Sequence, residues 1–420
     1  MSHRLGTLIL FSLYFLTPFL FTNQLVLDVN TVRLLTYSVI NTICLGYIFY
    51  VKDLNQILSN YIKLKIPLAV LAFISWAALS YFYALNQNEV IIRFFTFLNF
   101  YVFILVLSTF IKHSNLKFID LCLIVSIVLV AELYYSYKVY FEIIEFGKYD
   151  FNQNNKLAGI FANRNVTSSI FLMQIPFILY LYLSTNKVFI KIFTIFTLYV
   201  TLFMIFLLSS RTAYVIMSAL LIVFLIDFII KKKYIKTLWS KSIFVVFGLA
   251  LVVNFSLSTL TLGQESGADA ITRVSSIDTS DYSTATRLRY YVYGVNHLIS
   301  NPLFGVGLGN WKIESINYDK ENVYSYIVPY TMHNDFLEVG AELGLIGIIL
   351  YLFIFIYPKI ELLKSYLNRD KLMYLVILSS LIVYFIDSNL NFPFTRIGTF
   401  FWFSFLISVY LNHKTFNEND

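Results

Sequence analysis

The chain is a succession of long apolar runs separated by short polar segments, with one longer polar region over residues 261–335. A helix needs about 20 apolar residues to cross the hydrocarbon core of a bilayer, and runs of that length predict about twelve transmembrane helices here. We therefore predict an all-α integral membrane protein with a single polytopic domain over residues 1–420. The predicted spans are residues 5–22, 32–50, 66–85, 90–111, 117–140, 166–184, 188–208, 212–230, 242–260, 339–357, 372–388 and 394–411.

The composition agrees with a membrane protein and excludes a water-soluble one. Hydrophobic residues make up 58% of the 420 and charged residues only 13%, against about 25% charged in soluble domains. Phe and Tyr contribute 42 and 32 residues, as expected of aromatic belts at two membrane interfaces. The net charge of +7 accompanies no nucleic-acid motif, so we expect membrane lipids, and no nucleic acid, among the partners.

The distribution of Lys predicts the orientation of the spans. With a cytoplasmic N-terminus, most Lys residues fall on short cytoplasmic loops, which is the usual positive-inside bias. We therefore expect both termini in the cytoplasm. The run Lys231–Lys233 is interpreted as a topology signal and a contact with lipid headgroups.

The predicted outer side is rich in Arg instead. Topology requires only positive charge, whereas the planar, always ionised guanidinium favours bidentate binding of phosphate. Each even-numbered span also starts at the outer face with a basic residue, where a cation opposes the helix dipole. Free N–H groups and arginines converging there would form an anion site; the alternative is that each arginine snorkels separately to the interface. The residues at these starts are Arg33, Arg93, Arg164, Arg211, His333 and Arg396.

Three short motifs place candidate site residues at the outer helix ends. In GIFANRNVTSS, Asn163 and Asn165 are good capping residues on either side of Arg164; they act either as caps alone or also in contact with lipid phosphate. In LLSSRTAYV, a turn of almost no length holds Arg211 at the bilayer surface. In NLNFPFTR, a proline precedes Arg396 and directs it back toward the bundle.

The polar region at 261–335 is predicted to be a sizeable helical loop outside the membrane. Within it a helix is expected to start at Thr284 or Thr286 and to end at Ser300, before Asn-Pro.

This loop carries further candidate residues. On the predicted helix, Arg287 and Tyr291 share a face, whereas Arg289 points elsewhere. Trp311 and the tyrosines after it form either a sugar-stacking rim or an interface belt. The GVGLGN turn lacks the G-x-G-x-x-G spacing of a dinucleotide site.

Four segments together resemble the O-antigen ligase and polymerase family of bacterial polytopic glycosyltransferases. They are SSR at 209–211, R-x-x-x-Y at 287–291, NPLFGVGLGNW at 301–311 and HNDFLEVGAELGLIGIILY at 333–351. GIFANRN looks like an earlier asparagine-containing loop of the family, so a ligase-like catalytic region is expected over residues 159–351. Some members have a further histidine just before the HN pair, where this chain has Thr and Met.

The resemblance implies a GT-C-like fold in the bacterial inner (plasma) membrane, with the active site facing the periplasm. It also implies an undecaprenyl-diphosphate-linked glycan donor, a glycan or lipid A–core acceptor, and inverting transfer without a metal or other cofactor. The residues agree with this, because no D-x-D-like acidic pair lies on the predicted outer face. Arginines can carry the charge that grows on the pyrophosphate as the glycosidic bond breaks.

The catalytic roles are assigned to three residues. His333 is the expected general base that deprotonates or orients the acceptor hydroxyl. Arg211 and Arg287 are expected at the pyrophosphate. The expected substrate-binding residues are Asn163, Arg164, Asn165, Arg289, Trp311, Asn334 and Arg396.

The helix that follows His333 carries other polar residues. Asn334 either caps this helix or bonds sugar. Glu338 and Glu342 are expected to pair with arginines rather than to act as bases. The glycines around Gly344 predict a helix-packing face.

Three functions remain open. A ligase would move a finished glycan from the lipid carrier to another acceptor, and a polymerase with the same motifs would join repeat units on the carrier. A polysaccharide or small-solute transporter is the third alternative, although transporters place charges near mid-membrane on broken helices, whereas the basic residues here sit at the predicted outer ends.

Overall fold

The computed structural model describes residues 2–20, 29–147, 149, 151–231, 248, 282–322, 331–369 and 371–417. These residues form helices joined by turns, and no strand occurs among them, so the all-α prediction is confirmed for this part of the chain. The helices are α1 (Ser2–Leu16), α2 (Val29–Tyr50), α3 (Lys52–Ile62), α4 (Lys65–Leu79), α5 (Gln87–His113), α6 (Phe118–Phe146), α7 (Arg164–Ser184), α8 (Val188–Leu208), α9 (Arg211–Lys231), α10 (Tyr282–Ser300), α11 (Trp311–Asp319), α12 (Asp335–Arg369), α13 (Leu372–Leu390) and α14 (Ile397–Leu411).

Among the described residues, eight helices are long and apolar enough to cross a membrane, and each coincides with a predicted span. They are Asn30–Tyr50, Lys65–Phe82, Gln87–His113, Phe118–Phe146, Arg164–Ser184, Val188–Leu208, Asp335–Arg369 and Leu372–Leu390.

The other four predicted spans are not among these eight helices. The span at 5–22 is the 15-residue α1, which gives way to a 3-10 turn where Pro18 lacks the N–H an α-helix needs. The span at 394–411 is the 15-residue α14, preceded by a 3-10 turn at Pro393–Thr395. The span at 212–230 coincides with α9, and that at 242–260 lies outside the described residues apart from residue 248. The total of twelve and the orientation stay predictions.

One compact unit comprises Met1–Asn115, Thr279–Ser365 and Phe385–Asp420. Aromatic rings dominate its core: the ring centres of Tyr37 and Phe401 lie 5.6 Å apart, and those of Phe100 and Phe400 lie 4.4 Å apart. Such pairs add about 0.5–1.5 kcal/mol beyond the area they bury. These phenylalanines and tyrosines therefore pack helices together instead of forming belts at the interfaces.

The other unit comprises Leu116–Asp278 and Tyr366–Tyr384. In it α6 packs on α7, and Gln174 Nε2 donates a hydrogen bond of 2.7 Å to Glu132 Oε2 inside the apolar bundle. Burying a polar group without a partner costs free energy, so this bond fixes how the two helices face each other.

A sharp break interrupts α12 at Gly344, whose φ of 69° and ψ of −166° are not helical. The N–H of Leu345 donates to the carbonyl of Pro302 at 2.8 Å. A Cβ on Gly344 would lie 2.2 Å from the carbonyl oxygen of Leu303, so only glycine fits this close approach. The break corrects the expectation that Gly344 belongs to the packing face of a continuous helix.

The glycine-rich turn that follows α10 docks on this broken helix. The break leaves the carbonyls of Ala341 and Glu342 without the intrahelical donors four residues later. The N–H groups of Val306 and Gly307 take their place, at 3.1 and 2.8 Å respectively. Gly305, with φ of 66°, lies so close that a Cβ would be 2.4 Å from the Ala341 oxygen. The turn is thus a brace for α12.

Candidate functional site

A loop with unusual backbone geometry precedes α12. His333 has a φ of 58°, in the left-handed region that non-glycine residues seldom adopt. The next residue, Asn334, caps the helix: its Oδ1 accepts hydrogen bonds of 3.1 Å from the N–H groups of both Phe336 and Leu337. This is the first of the two sequence interpretations of Asn334. The cap and its neighbours hold the histidine in its strained conformation.

Three separate segments meet at His333. The hydroxyl of Tyr291 on α10 lies 2.9 Å from the carbonyl oxygen of His333 and 3.1 Å from that of Asn389 at the end of α13. Arg287, one turn earlier on α10, donates to the carbonyl of Leu390 at 2.8 Å. The shared face predicted for Arg287 and Tyr291 therefore lies against both the histidine loop and the α13–α14 turn.

The His333 ring lies between arginines and an aromatic ring. Its centre is 4.8 Å from that of Phe392, in an edge-to-face arrangement, and the guanidinium of Arg396 lies over the same phenyl ring at 5.0 Å. Burial, followed by the positive charges of Arg287 and Arg396, lowers the pKa of His333 from 6.5 to about 4. The imidazole is therefore neutral near pH 7.

One nitrogen of this imidazole makes no hydrogen bond. His333 Nδ1 is buried and has no hydrogen-bond partner among the residues that the structure describes. A buried nitrogen without a partner costs free energy, and a substrate hydroxyl donating to it would remove that cost. Arg287, His333 and Arg396, all predicted from sequence, are thus brought together in one unit.

Two buried carboxylates of α12 hold the loops around His333. Glu338 Oε2 accepts the N–H of Met332 at 2.8 Å, and Asp335 Oδ2 accepts the N–H of Phe394 at 3.2 Å. Asp335 is absent from the sequence-based site, although Asp335, Glu338 and Glu342 recur at the helical spacing that places them on one face. This spacing is the sequence signal that could have identified Asp335 as part of the site.

The third carboxylate braces the glycine-rich turn. Glu342 Oε1 accepts the N–H of Trp311 at 3.1 Å. Arg93 and Lys312 interact with Glu338 and Glu342 only through longer-range electrostatic attraction. The expectation that these glutamates pair with arginines is therefore corrected. Their direct partners are backbone N–H groups, because the break at Gly344 brings loop backbone against this face of the helix.

Arg289 points away from this group, as predicted. Its Nε lies 2.9 Å from Asp319 Oδ1, and Tyr293 donates to the same carboxylate oxygen at 3.3 Å. The ion pair ties α10 to α11 and supplies the guanidinium with a permanent counter-charge.

Trp311 begins α11 and is only 1% exposed. Its ring centre lies 6.0 Å from that of His297 and 6.1 Å from that of Tyr318. Neither the rim nor the belt interpretation describes this burial, because no face of the indole is open to a sugar or to the membrane interface.

The remaining predicted residues form a second group, in the other unit. Asn163 caps α7 by accepting the N–H groups of Asn165 and Val166 at 2.9 and 3.3 Å. Asn165 Oδ1 accepts the Ser210 hydroxyl at 2.7 Å, and Ser210 in turn caps α9 by accepting the Ala213 N–H at 3.3 Å. Asn165 is therefore a link between helix ends and not a cap.

This link brings two helix N-termini together. α7 begins at Arg164 and α9 begins at Arg211. Ser209, in the left-handed region with φ of 45°, makes the tight turn predicted between α8 and α9. Two N-termini that each begin with a guanidinium make an electropositive end of this unit.

The chemistry available around His333 is that of an anion beside a base. Two guanidinium groups favour a negatively charged ligand, and a neutral imidazole can accept a proton from a neighbouring hydroxyl. Within the described ranges, no group of three or more His, Cys, Asp or Glu side chains is arranged to hold a metal ion.

Comparison with known proteins bears on this chemistry. Residues 196–352 match the model of a family described as O-Antigen ligase. The resemblance to this family is thereby confirmed over that segment. The match includes His333, Arg287 and Arg211, and it ends shortly after the break in α12.

The name of one similar protein also refers to a ligase. A Rickettsia conorii protein, named as a candidate polysaccharide ligase, is 31% identical over 94 residues. The alignment covers 21% of this chain and 22% of the relative, so only about a fifth of that protein is represented in the comparison.

Proposed function

We propose that this protein is a membrane glycosyltransferase of the O-antigen ligase type. It moves a glycan from an undecaprenyl-diphosphate carrier to lipid A–core or a related acceptor, on the periplasmic face of the bacterial inner membrane. The observation that carries the proposal is a neutral His333 beside Arg287 and Arg396, with an Nδ1 that has no hydrogen-bond partner among the described residues. The ligase-family match over residues 196–352 supports it.

The reaction needs a base on one side of the anomeric carbon and positive charge on the other. The acceptor oxygen attacks the anomeric carbon and its proton passes to His333 Nδ1. The bond from that carbon to the diphosphate oxygen breaks, and the diphosphate leaves with the electron pair. Attack opposite the leaving group inverts the configuration, and the arginines stabilise the developing charge without a metal or other cofactor.

The electrostatics couple donor binding to base strength. Burial, together with the charges of Arg287 and Arg396, lowers the pKa of His333 to about 4, which makes it a weak base. A bound diphosphate would offset these positive charges and raise that pKa toward its ordinary value. His333 would then become a better base only when the donor is in place.

Within its own unit, the second group of residues is proposed to bind phosphate. We assign Arg211 a catalytic role there, with Arg164 beside it at a helix N-terminus that favours anions. Asn163 and Asn165 hold those two helix ends in place.

The acceptor distinguishes the two leading functions. Both the matched family description and the name of the Rickettsia relative refer to a ligase, which favours transfer of a finished glycan. A polymerase that extends the glycan on its carrier would use the same bond changes with a different acceptor, and is the second candidate.

A gene deletion followed by gel analysis of polysaccharides separates these functions. A ligase predicts loss of glycan from the surface acceptor, with long polymer left on the lipid carrier. A polymerase predicts a single repeat unit. An unchanged gel pattern would contradict both.

Complementation of the deletion strain tests the base. His333→Ala should abolish transfer while the amount of protein in the membrane stays normal, because it removes the proton acceptor and leaves the helices intact. His3→Ala, which changes an exposed histidine, serves as the control. Full transfer by His333→Ala would overturn the assignment.

A further inference from the structure

One exposed face of α10 is apolar, whereas the exposed face of a helix in water is polar. The large apolar side chains exposed on this helix are Leu288, Val292, Val295 and Ile299, which are 47%, 56%, 40% and 72% exposed. Their spacing of four, three and four residues places them on one side of the helix. We call these four residues the α10 stripe.

Several polar side chains of α10 contact the protein, whereas Asn296 and Ser300 near its C-terminal end are exposed. Arg287 and Tyr291 contact the α13–α14 turn and the histidine loop, and His297 is buried against Trp311. A surface helix in water buries its apolar face and exposes its polar one. An exposed apolar stripe of this kind is expected where the surrounding medium is apolar.

The C-terminal end of α10 leads to a membrane span. Phe304, just beyond the helix, stacks on Trp76 with ring centres 5.8 Å apart, and Trp76 lies within the span Lys65–Phe82. Tyr83, which follows that span, donates to the Phe304 carbonyl at 2.9 Å. Trp and Tyr concentrate where hydrocarbon meets water, so this end of α10 lies at the membrane boundary.

The N-terminal half of α10 is tied to another span. Arg287 donates to the carbonyl of Leu390, the last residue of the span Leu372–Leu390, and the Tyr291 hydroxyl lies 3.1 Å from the carbonyl oxygen of Asn389 beside it. Both ends of α10 are therefore attached to ends of membrane spans within one unit. Leu303, just beyond α10, and Phe82, at the end of the span Lys65–Phe82, are also exposed apolar residues.

From the exposed apolar stripe and these attachments we propose that α10 is a membrane-inserted helix, whose stripe of Leu288, Val292, Val295 and Ile299 contacts the lipid acyl chains of the adjacent leaflet. Such helices bury their apolar face about 5–10 Å below the headgroups. Lipid contact then sets the rotation of α10 about its axis, and this rotation directs Arg287 and Tyr291 toward His333. The inference does not depend on the proposed reaction.

Spin labels test the medium around the stripe. The full-length protein carrying Val292→Cys, and separately Ile299→Cys, is labelled with a nitroxide and reconstituted in phosphatidylcholine–phosphatidylglycerol nanodiscs. Collision with oxygen, which partitions into acyl chains, is compared with collision with a water-soluble nickel chelate. Asn317→Cys, at an exposed polar position on α11, is the matched control. The native Cys44 and Cys122 are buried, so the unsubstituted protein is the blank.

Both stripe labels should collide more with oxygen than with the nickel chelate, and the control label should show the reverse. Stripe labels as accessible to the chelate as the control would place the stripe in water and overturn the proposal. Labels shielded from both reagents would also overturn it, because another protein surface would then cover the stripe. The second stripe position keeps the test valid if one substitution disturbs folding.

Discussion

Removal of a single hydroxyl group at Tyr291 should impair the site without disturbing the fold. The Tyr291 oxygen lies 2.9 Å from the carbonyl oxygen of His333 and 3.1 Å from that of Asn389. It therefore joins the histidine loop to the end of α13. Tyr291→Phe keeps the ring and its packing and deletes only this connection, so Tyr291 is a positioning residue that acts through His333.

The size of the effect follows from the hydrogen bond that is lost. Leaving a buried carbonyl without its donor costs about 1–3 kcal/mol. The backbone of His333 already has an unfavourable φ of 58°. If losing the bond destabilises the His333 conformation used in the proposed reaction by this amount, transfer should slow by roughly 5- to 150-fold. Because the ring still fills its place, the unfolding temperature should change little.

The assay is glycan transfer by purified protein in lipid vesicles, with the unfolding temperature measured on the same samples. Tyr293→Phe is the matched control: it makes the same chemical change on the same helix, but its hydroxyl binds Asp319. Transfer should stay near normal in this control. Equal losses in both variants, or normal transfer by Tyr291→Phe, would refute the positioning role.

Three further predictions concern charge and backbone. Arg211→Lys keeps the charge but loses the planar fork, so transfer should fall severely; a fully active variant would contradict bidentate phosphate binding. Burial, followed by the charges of Arg287 and Arg396, lowers the pKa of His333 from 6.5 to about 4, and Arg396→Gln removes one of these charges and should raise that pKa. In the proposed mechanism the neutral imidazole is the active form and is lost as pH falls through this pKa. The acid limb of the pH–rate profile should therefore move to higher pH, and an unmoved limb would refute the coupling. Gly344→Ala places a Cβ 2.2 Å from a carbonyl oxygen at φ of 69° and should destabilise the fold by more than about 2 kcal/mol in thermal unfolding. Gly46→Ala, with no atom within 4 Å of its Cβ, should not.

Helices and helix ends could be predicted where they depend on residues that are close together in the chain. The eight long apolar helices coincide with predicted spans, because the length of an apolar run alone decides whether it can cross a membrane. The Asn163 cap and the tight turn before Arg211 also depend on neighbouring residues only. The predicted start of the loop helix was wrong: α10 begins at Tyr282, so Thr284 and Thr286 lie inside it.

The residues of the candidate site could be selected from sequence, but many of their contacts could not be predicted. Arg287, His333 and Arg396 could be selected because charged residues are rare in this chain and costly near a membrane. Trp311 could not be placed, since the sequence does not show that its indole is buried against His297. The role of Glu342 was also hidden, because its partner is a backbone N–H rather than a side chain.

Composition and hydrophobic pattern were enough to predict helices, to identify those that can cross a membrane, and to select residues that could bind an anion. These properties follow from composition and from contacts between close neighbours in the chain. The contact of Tyr291 with Asn389, 98 residues away, and the docking of the glycine-rich turn on the break at Gly344 became known from the packing of the folded chain. Contacts of this kind depend on how whole helices pack, and a strained residue such as His333 is stable only where that packing holds it.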